Sequence, residues 1–204
     1  MFVEYDPAVP PPREHPWTVE QINPEARYWD FRACPEQVSL VLEDFRPWSH
    51  YPAIPRFYAL LTWLNGSDSI FESADCGLLA PRQDDAVPEI IRRCLGSNPI
   101  VVHGRLTVIF RDLARNTSGP TVDSLMKAIH DGLRVSVPNF PAVVKVGDWD
   151  HLFTLINKEG RAVSLRFWAW GDDESLAMDT LNSVFDAIHD CLRWISDGVK
   201  NTGT

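Results

Sequence analysis

No apolar run in this chain approaches the ~20 residues that a membrane-spanning helix needs, and the first sixteen residues lack the basic start and apolar centre of a signal peptide. Both absences point to a soluble, cytoplasmic protein. Cysteine is scarce: Cys34, Cys76, Cys94 and Cys191 are the only four, none forms a CxxC, and none has a histidine at metal-ligand spacing. A disulfide framework and a structural zinc site are therefore not expected, and reduced thiols fit the cytoplasm. Basic residues are also short: 19 Lys and Arg face 28 Asp and Glu, a net charge of -9. That balance excludes nonspecific binding to nucleic acid, which requires phosphate neutralisation, and disfavours an anionic membrane surface. It permits pairing with a basic protein. The sequence contains no GxSxG elbow, P-loop, GxGxxG, HExxH or RNA-binding aromatic signature. No cofactor is implied, and an enzyme is the less favoured reading.

What is present is enough for one compact core. Of 204 residues, 45% are hydrophobic, which suits a single domain rather than two small ones. Residues 1–52 are dense in proline and hold Trp17, Trp29 and Trp48. Proline at that density breaks regular elements, while the indoles argue against a disordered tail. The expectation is an extended Pro/Trp-rich N-terminal arm packed on a body formed by residues 53–204, with a short helix or strand over 35–45. Cys94 and Cys191 sit in amphipathic patterns and read as small core residues.

Beyond the arm, Phe57, Leu60, Leu61 and Leu64 recur at helical spacing, ended by Asn65-Gly66. Residues 66–86 read as loop, with a brief strand near Ile70, and 88–95 as a short helix. Residues 99–113 alternate as a strand, and 120–134 place Val122, Leu125, Met126, Ile129 and Leu133 on one helix face. Strands follow over 142–146, 151–157 and 162–170, with Gly147 to Asp150 as a turn and 158–161 as a hairpin loop. The final helix has a stripe of Leu181, Val184, Phe185, Ile188, Leu192 and Ile195. Consecutive strands with short turns are antiparallel, and helices with a single apolar face need a sheet to cover. The fold class is α+β: a mostly antiparallel sheet with helices packed on one face.

Three constellations are candidates for function. The first is a sheet face opposite the helices. Arg166, Trp168 and Trp170 share it on the last strand, and Arg105 and Arg111, with His103, share the corresponding face of the 99–113 strand. If those strands are neighbours, guanidinium and indole groups combine as binding surfaces use them. The competing reading is that the arm covers this face in a buried cation–π layer. The second is the acidic turn before the final helix, where Asp173 and Glu174, with Asp172, would cap the helix and suit its dipole. The run lacks EF-hand spacing, so a basic partner docking there is favoured over a metal. The third is the 65–82 segment, with Asp68, Glu72, Asp75, Cys76 and Arg82. A nucleophilic Cys76 would need His103, His130 or His151 beside it; an ordinary surface loop is the simpler reading. His130 and His189 border apolar helix stripes. The function that follows is a non-enzymatic protein-binding module, such as an inhibitor or immunity-type protein masking a basic toxin or nuclease. A small-ligand binder or enzyme using the Arg/Trp face or the Cys76 segment is the alternative.

Overall fold

A computed structural model describes residues 1–17, 28–41, 47–83, 100–136 and 141–202. Six strands form one sheet: β1 (Phe2–Tyr5), β2 (Arg13–His15), β3 (Phe71–Gln83), β4 (Ile100–Phe110), β5 (Ala142–Phe153) and β6 (Lys158–Gly171). The helices are α1 (Gln37–Val41), α2 (Ala53–Asn65), α3 (Gly119–Ser136) and α4 (Glu174–Thr202), with a 3-10 turn at Leu113–Thr117. The sheet order is β1-β5-β6-β4-β3, and β2 continues β1 along the same edge of β5. The pairs β3–β4, β4–β6 and β5–β6 are antiparallel, whereas β1 and β2 run parallel to β5. The architecture is thus mixed α+β with a mostly antiparallel sheet. The expected 88–95 helix, Cys94, and the end of the 35–45 element lie outside the described residues.

The helical periodicities become the core. Phe57, Leu60, Leu61 and Leu64 of α2, Val122, Leu125, Ile129 and Leu133 of α3, and the α4 stripe are buried together with one sheet face, represented by Val102, Leu106, Val144, Leu165 and Phe167. The 29-residue helix α4 lies between α2 and α3, with contacts to both and to the sheet. Phe185 joins the layers: its ring stacks on Phe57 at 4.8 Å and meets Phe167 edge-on at 5.3 Å. Among the described residues, no helix is long and apolar enough to cross a membrane.

Three sequence expectations are corrected. Within the 66–86 segment, residues Phe71–Gln83 form the 13-residue edge strand β3 where a loop was expected. Its register against β4 shifts between Ser73 and Asp75 and again between Leu79 and Arg82. Such bulges reverse which side chains face inward, so the inward–outward alternation is scrambled in the sequence. Pro81 falls in the second irregularity of an edge strand, where a missing N–H is tolerated. Likewise, Gly147 to Asp150 is no turn: β5 is one continuous strand from Ala142 to Phe153. Residues there that resemble turn formers answer to tertiary partners. A Cβ on Gly147 would stand 2.8 Å from the Asp6 Cβ, Asp148 accepts from Arg161 at 2.6 Å, and Trp149 lies 4.2 Å beneath the Arg13 guanidinium. The chain reverses at residues 154–157 instead, where Asn157 takes a left-handed φ of 48°. Residues 158–161, expected as the hairpin loop, begin β6.

Within the first 52 residues, Phe2–Tyr5 and Arg13–His15 enter the sheet as β1 and β2. Tyr5 stacks on His130 of α3 at 4.1 Å, and His189 of α4 packs against Trp63 of α2 at 5.0 Å, so both helix-border histidines take part in helix packing.

Gly104 sets a limit on the sheet–helix interface. A Cβ there would lie 2.4 Å from the Gly77 carbonyl oxygen and 2.9 Å from the Phe167 ring. Backbone and a fully buried ring cannot yield cheaply, so Gly104→Ala is expected to destabilise the fold by about 1–3 kcal/mol, measured as a lower urea midpoint with an unchanged slope.

Candidate functional site

The face of the sheet away from the helices is concave, and salt bridges between opposite edges show how strongly it curls. β2 and β3 are separated by β5, β6 and β4, a span of roughly 19 Å in a flat sheet with ~4.8 Å between strands. Yet Arg13 Nη1 donates to Asp75 Oδ2 at 2.5 Å, and His15 Nε2 lies 3.3 Å from Glu72 Oε1. Arg32 Nη1 donates to the other Glu72 oxygen at 2.7 Å. At this end the sheet folds over a second, small apolar cluster of Ala74, Ile109, Phe153 and Ala162. His151 is buried beside it, and its Nδ1 contacts the Trp149 carbonyl oxygen at 3.1 Å. Burial pushes its pKa below the ordinary value.

At the other end the trough is open. Three rows of side chains cross it. Glu4, Lys145, Arg166, Arg105 and Gly77 form the central row. Phe2, Val143, Trp168, His103 and Leu79 form the row on its open side. Gly147, Ser164, Thr107 and Asp75 form the row toward the closed end. β4 and β6 are therefore direct neighbours, and the structure brings Arg105, Arg166 and Trp168 together. The arginines are already engaged. Asp6, at the end of β1, receives two hydrogen bonds from Arg166 through Nε and Nη2. Asp75 receives Arg105 Nε at 2.8 Å and Nη2 at 3.3 Å. Burial alone would raise the Asp75 carboxyl, but Arg105 and Arg13 outweigh it and hold the group below its ordinary value. Lys145 and Arg166 approach the Trp168 ring at 6.0 and 5.9 Å, and His103 lies nearly parallel to that ring at 6.2 Å. A groove of about 290 Å³ runs along this row, walled by Leu79 of β3.

The remaining candidate residues are placed elsewhere. Trp170 is buried in a small cluster with Val101 and Val143. Arg111 turns to the end of α2, where its Nη2 donates to the carbonyl oxygens of Leu64 and Gly66, a helix-closing role. Asp173 caps α4 by accepting from the Leu176 N–H at 2.9 Å, and Glu174 is hydrogen-bonded with the Tyr51 hydroxyl. Cys76 is a strand residue whose cross-strand partner is Leu106, on the core side of the sheet. Burial, with the Asp75 charge, pushes its thiol up to about 12, which leaves negligible thiolate at neutral pH. His103 and His151 stand on the face of the sheet opposite Cys76. Among the described residues, no group of three or more His, Cys, Asp and Glu side chains is placed to hold a metal ion.

Sequence reasoning missed the α3–α4 groove. It has a volume of about 630 Å³ and is lined by Gly132, Val135, Asp131, Cys191, Asp190 and Trp194. Trp194 is 70% exposed and Val135 88% exposed. A signal was available: Trp194 follows the α4 core stripe but falls outside it, an indole with no place in the core.

The pH dependence of the trough follows from Asp75. Its folded-state pKa is depressed below the unfolded 3.8, so its contribution is complete above that value and is lost as pH falls through the depressed folded value. Asp75→Asn is expected to cost about 1–3 kcal/mol at pH 7, and the gap between the two proteins should close as denaturation is followed below pH 3.8. A gap that stays constant with pH would remove the ion-pair role. Comparison of the chain with protein-family models, curated proteins and solved structures returns no match.

Proposed function

We propose that this chain is a non-enzymatic binding protein that docks a basic protein through the outer ridge of α4 and the groove beside it. The observation that carries the reading is the charge along that helix. Asp179, Asp186, Asp190 and Asp197 follow one another at spacings of seven, four and seven residues, which keeps them on one helical stripe. Asp179, Asp190 and Asp197 are exposed. Asp is a poor residue for a helix interior, and Asp186 and Asp190 form a like-charge i,i+4 pair, an arrangement that destabilises helices by about 0.2–0.5 kcal/mol. Arg56 of α2 pairs with Asp186. Apart from that ion pair, folding gains little from such a ridge, whereas a cationic partner would gain from all four charges.

Apolar surface adjoins the ridge. Trp194 and Val135 supply exposed contact area at the groove, and an indole ringed by carboxylates is suited to anchor a partner that carries Lys and Arg around an apolar knob. The acidic turn at Asp172 continues the same potential toward the start of α4, although Asp173 and Glu174 are already used locally. An inhibitor or immunity-type protein that masks a basic toxin or nuclease is one concrete form of this role. It would act in the cytoplasm, where Cys34, Cys76 and Cys191, all free, stay reduced.

The test is co-expression of the chain with basic proteins encoded beside its gene, followed by size-exclusion chromatography with light scattering. A stoichiometric complex is expected, weakened by about 0.5 M salt. The double substitution Asp179→Lys and Asp190→Lys should loosen it by about tenfold or more, while leaving the melting temperature unchanged or slightly raised. Failure of every such basic protein to bind, or a complex indifferent to both substitutions and salt, would sink the reading.

A further inference from the structure

The concave sheet face carries charge of the opposite sign to the chain as a whole. Lys145, Arg166 and Arg105 stand side by side in one row on three adjacent strands, and like charges directly opposite each other destabilise a sheet. Asp6 and Asp75 offset part of that repulsion, but Asp75 is shared with Arg13, and Glu4 reaches Lys145 only at 4.0 Å. Four cations thus meet three carboxylates.

The geometry of the two arginines leaves something unused. Each gives Nε and Nη2 to its own aspartate. Among the described residues, Nη1 of neither Arg105 nor Arg166 makes a hydrogen bond. Gly77 closes the row without a side chain: a Cβ there would lie 3.5 Å from Arg105 Nη1, so a larger residue would crowd that nitrogen. The groove passes directly over this position, with Arg105 and Arg166 as its polar side and Leu79 and Trp168 as its apolar side. Arg105 and Arg166 keep 45% and 32% of their side-chain surface exposed.

We propose that this groove binds a small, singly charged aromatic carboxylate, its carboxylate held between Arg105 and Arg166 and its ring laid against Trp168. Planar guanidinium groups match a carboxylate in geometry. The fixed Asp6 and Asp75 make a second negative charge on the ligand unfavourable, which selects a carboxylate over a phosphate dianion. Trp168, extended by the nearly parallel His103 ring, offers a flat apolar platform, and Leu79 at the rim is half exposed, ready to be covered. The groove of about 290 Å³ is at the small end of ligand sites. This site is independent of the α4 ridge.

The experiment uses the full chain with naphthoate as probe, naphthamide as its uncharged counterpart and inorganic phosphate as the competing anion. Binding is followed by calorimetry and by the indole N–H resonances. Naphthoate is expected to bind saturably with a Kd below about 1 mM and to shift the Trp168 indole signal, with naphthamide and phosphate weaker by about tenfold or more. Leu79→Glu, at an exposed position that leaves the fold intact, should weaken naphthoate by a similar factor, as should Trp168→Leu. Trp194→Ala, in the groove on the other side of the molecule, should leave it unchanged. The proposal is overturned by the absence of saturable binding, by naphthamide or phosphate binding as tightly as naphthoate, by insensitivity to Leu79→Glu, or by loss of binding in Trp194→Ala.

Discussion

Asp75, on one edge strand of the sheet, accepts hydrogen bonds from two guanidinium groups. Arg105 comes from the neighbouring strand, and Arg13 from the far edge, across three intervening strands. That double attachment is possible only if the sheet curls, and the curl makes one face convex under the helices and the other a trough. The small apolar cluster around Ile109 and Phe153 fills the closed end. The open end then has a floor of cations and an indole, because Asp75 has fixed where Arg105 points and Asp6 where Arg166 points. An ion pair of this partly buried kind adds little net stability compared with an apolar contact of equal size. Its contribution is geometric: it selects one curvature.

Charge is sorted by face. The trough gathers Arg13, Arg105, Lys145 and Arg166 in a chain whose net charge is -9, while the exposed ridge of α4 is built from aspartates. The sheet and the buried flank of α4 lie between the two, so each surface presents its own sign over distances longer than the ~8 Å screening length of physiological salt. A single averaged net charge describes neither. The acidic balance of the sequence points to the ridge, and it conceals the trough.

Much of the framework was readable from periodicity. The stripes of α2, α3 and α4 are the buried stripes, and the alternation in β4 and β6 gives the correct inward and outward sets, because these elements bury one face against many partners. β3 and the second half of β5 were not readable for a shared reason. Bulges at Ala74 and near Pro81 break the alternation of β3, and Gly147, Asp148 and Trp149 have turn-like chemistry whose real causes, Asp6, Arg161 and Arg13, are distant in sequence. The candidate site was legible by halves. Arg105, Arg166 and Trp168 could be placed on one face of their own strands, but the carboxylates that orient the arginines could not be identified without the strand order. Arg111 and Trp170 show the limit of the same logic: face is set by alternation, but whether a side chain reaches a groove, a helix end or a packed corner depends on what lies beyond the strand.

The parallel pairing of β1 and β2 with β5 ties the beginning of the chain to residues 142–153. β1 and β2 therefore find their place only once residues 142–153 are available to pair. Until β5 has been made and has paired with β6, Asp6 has no Arg166 and Arg13 has no curled edge to close. Long-range pairings of this kind are slow to form, and an emerging chain holds them open. The cationic face becomes a finished surface only when β1 and β2 have met β5.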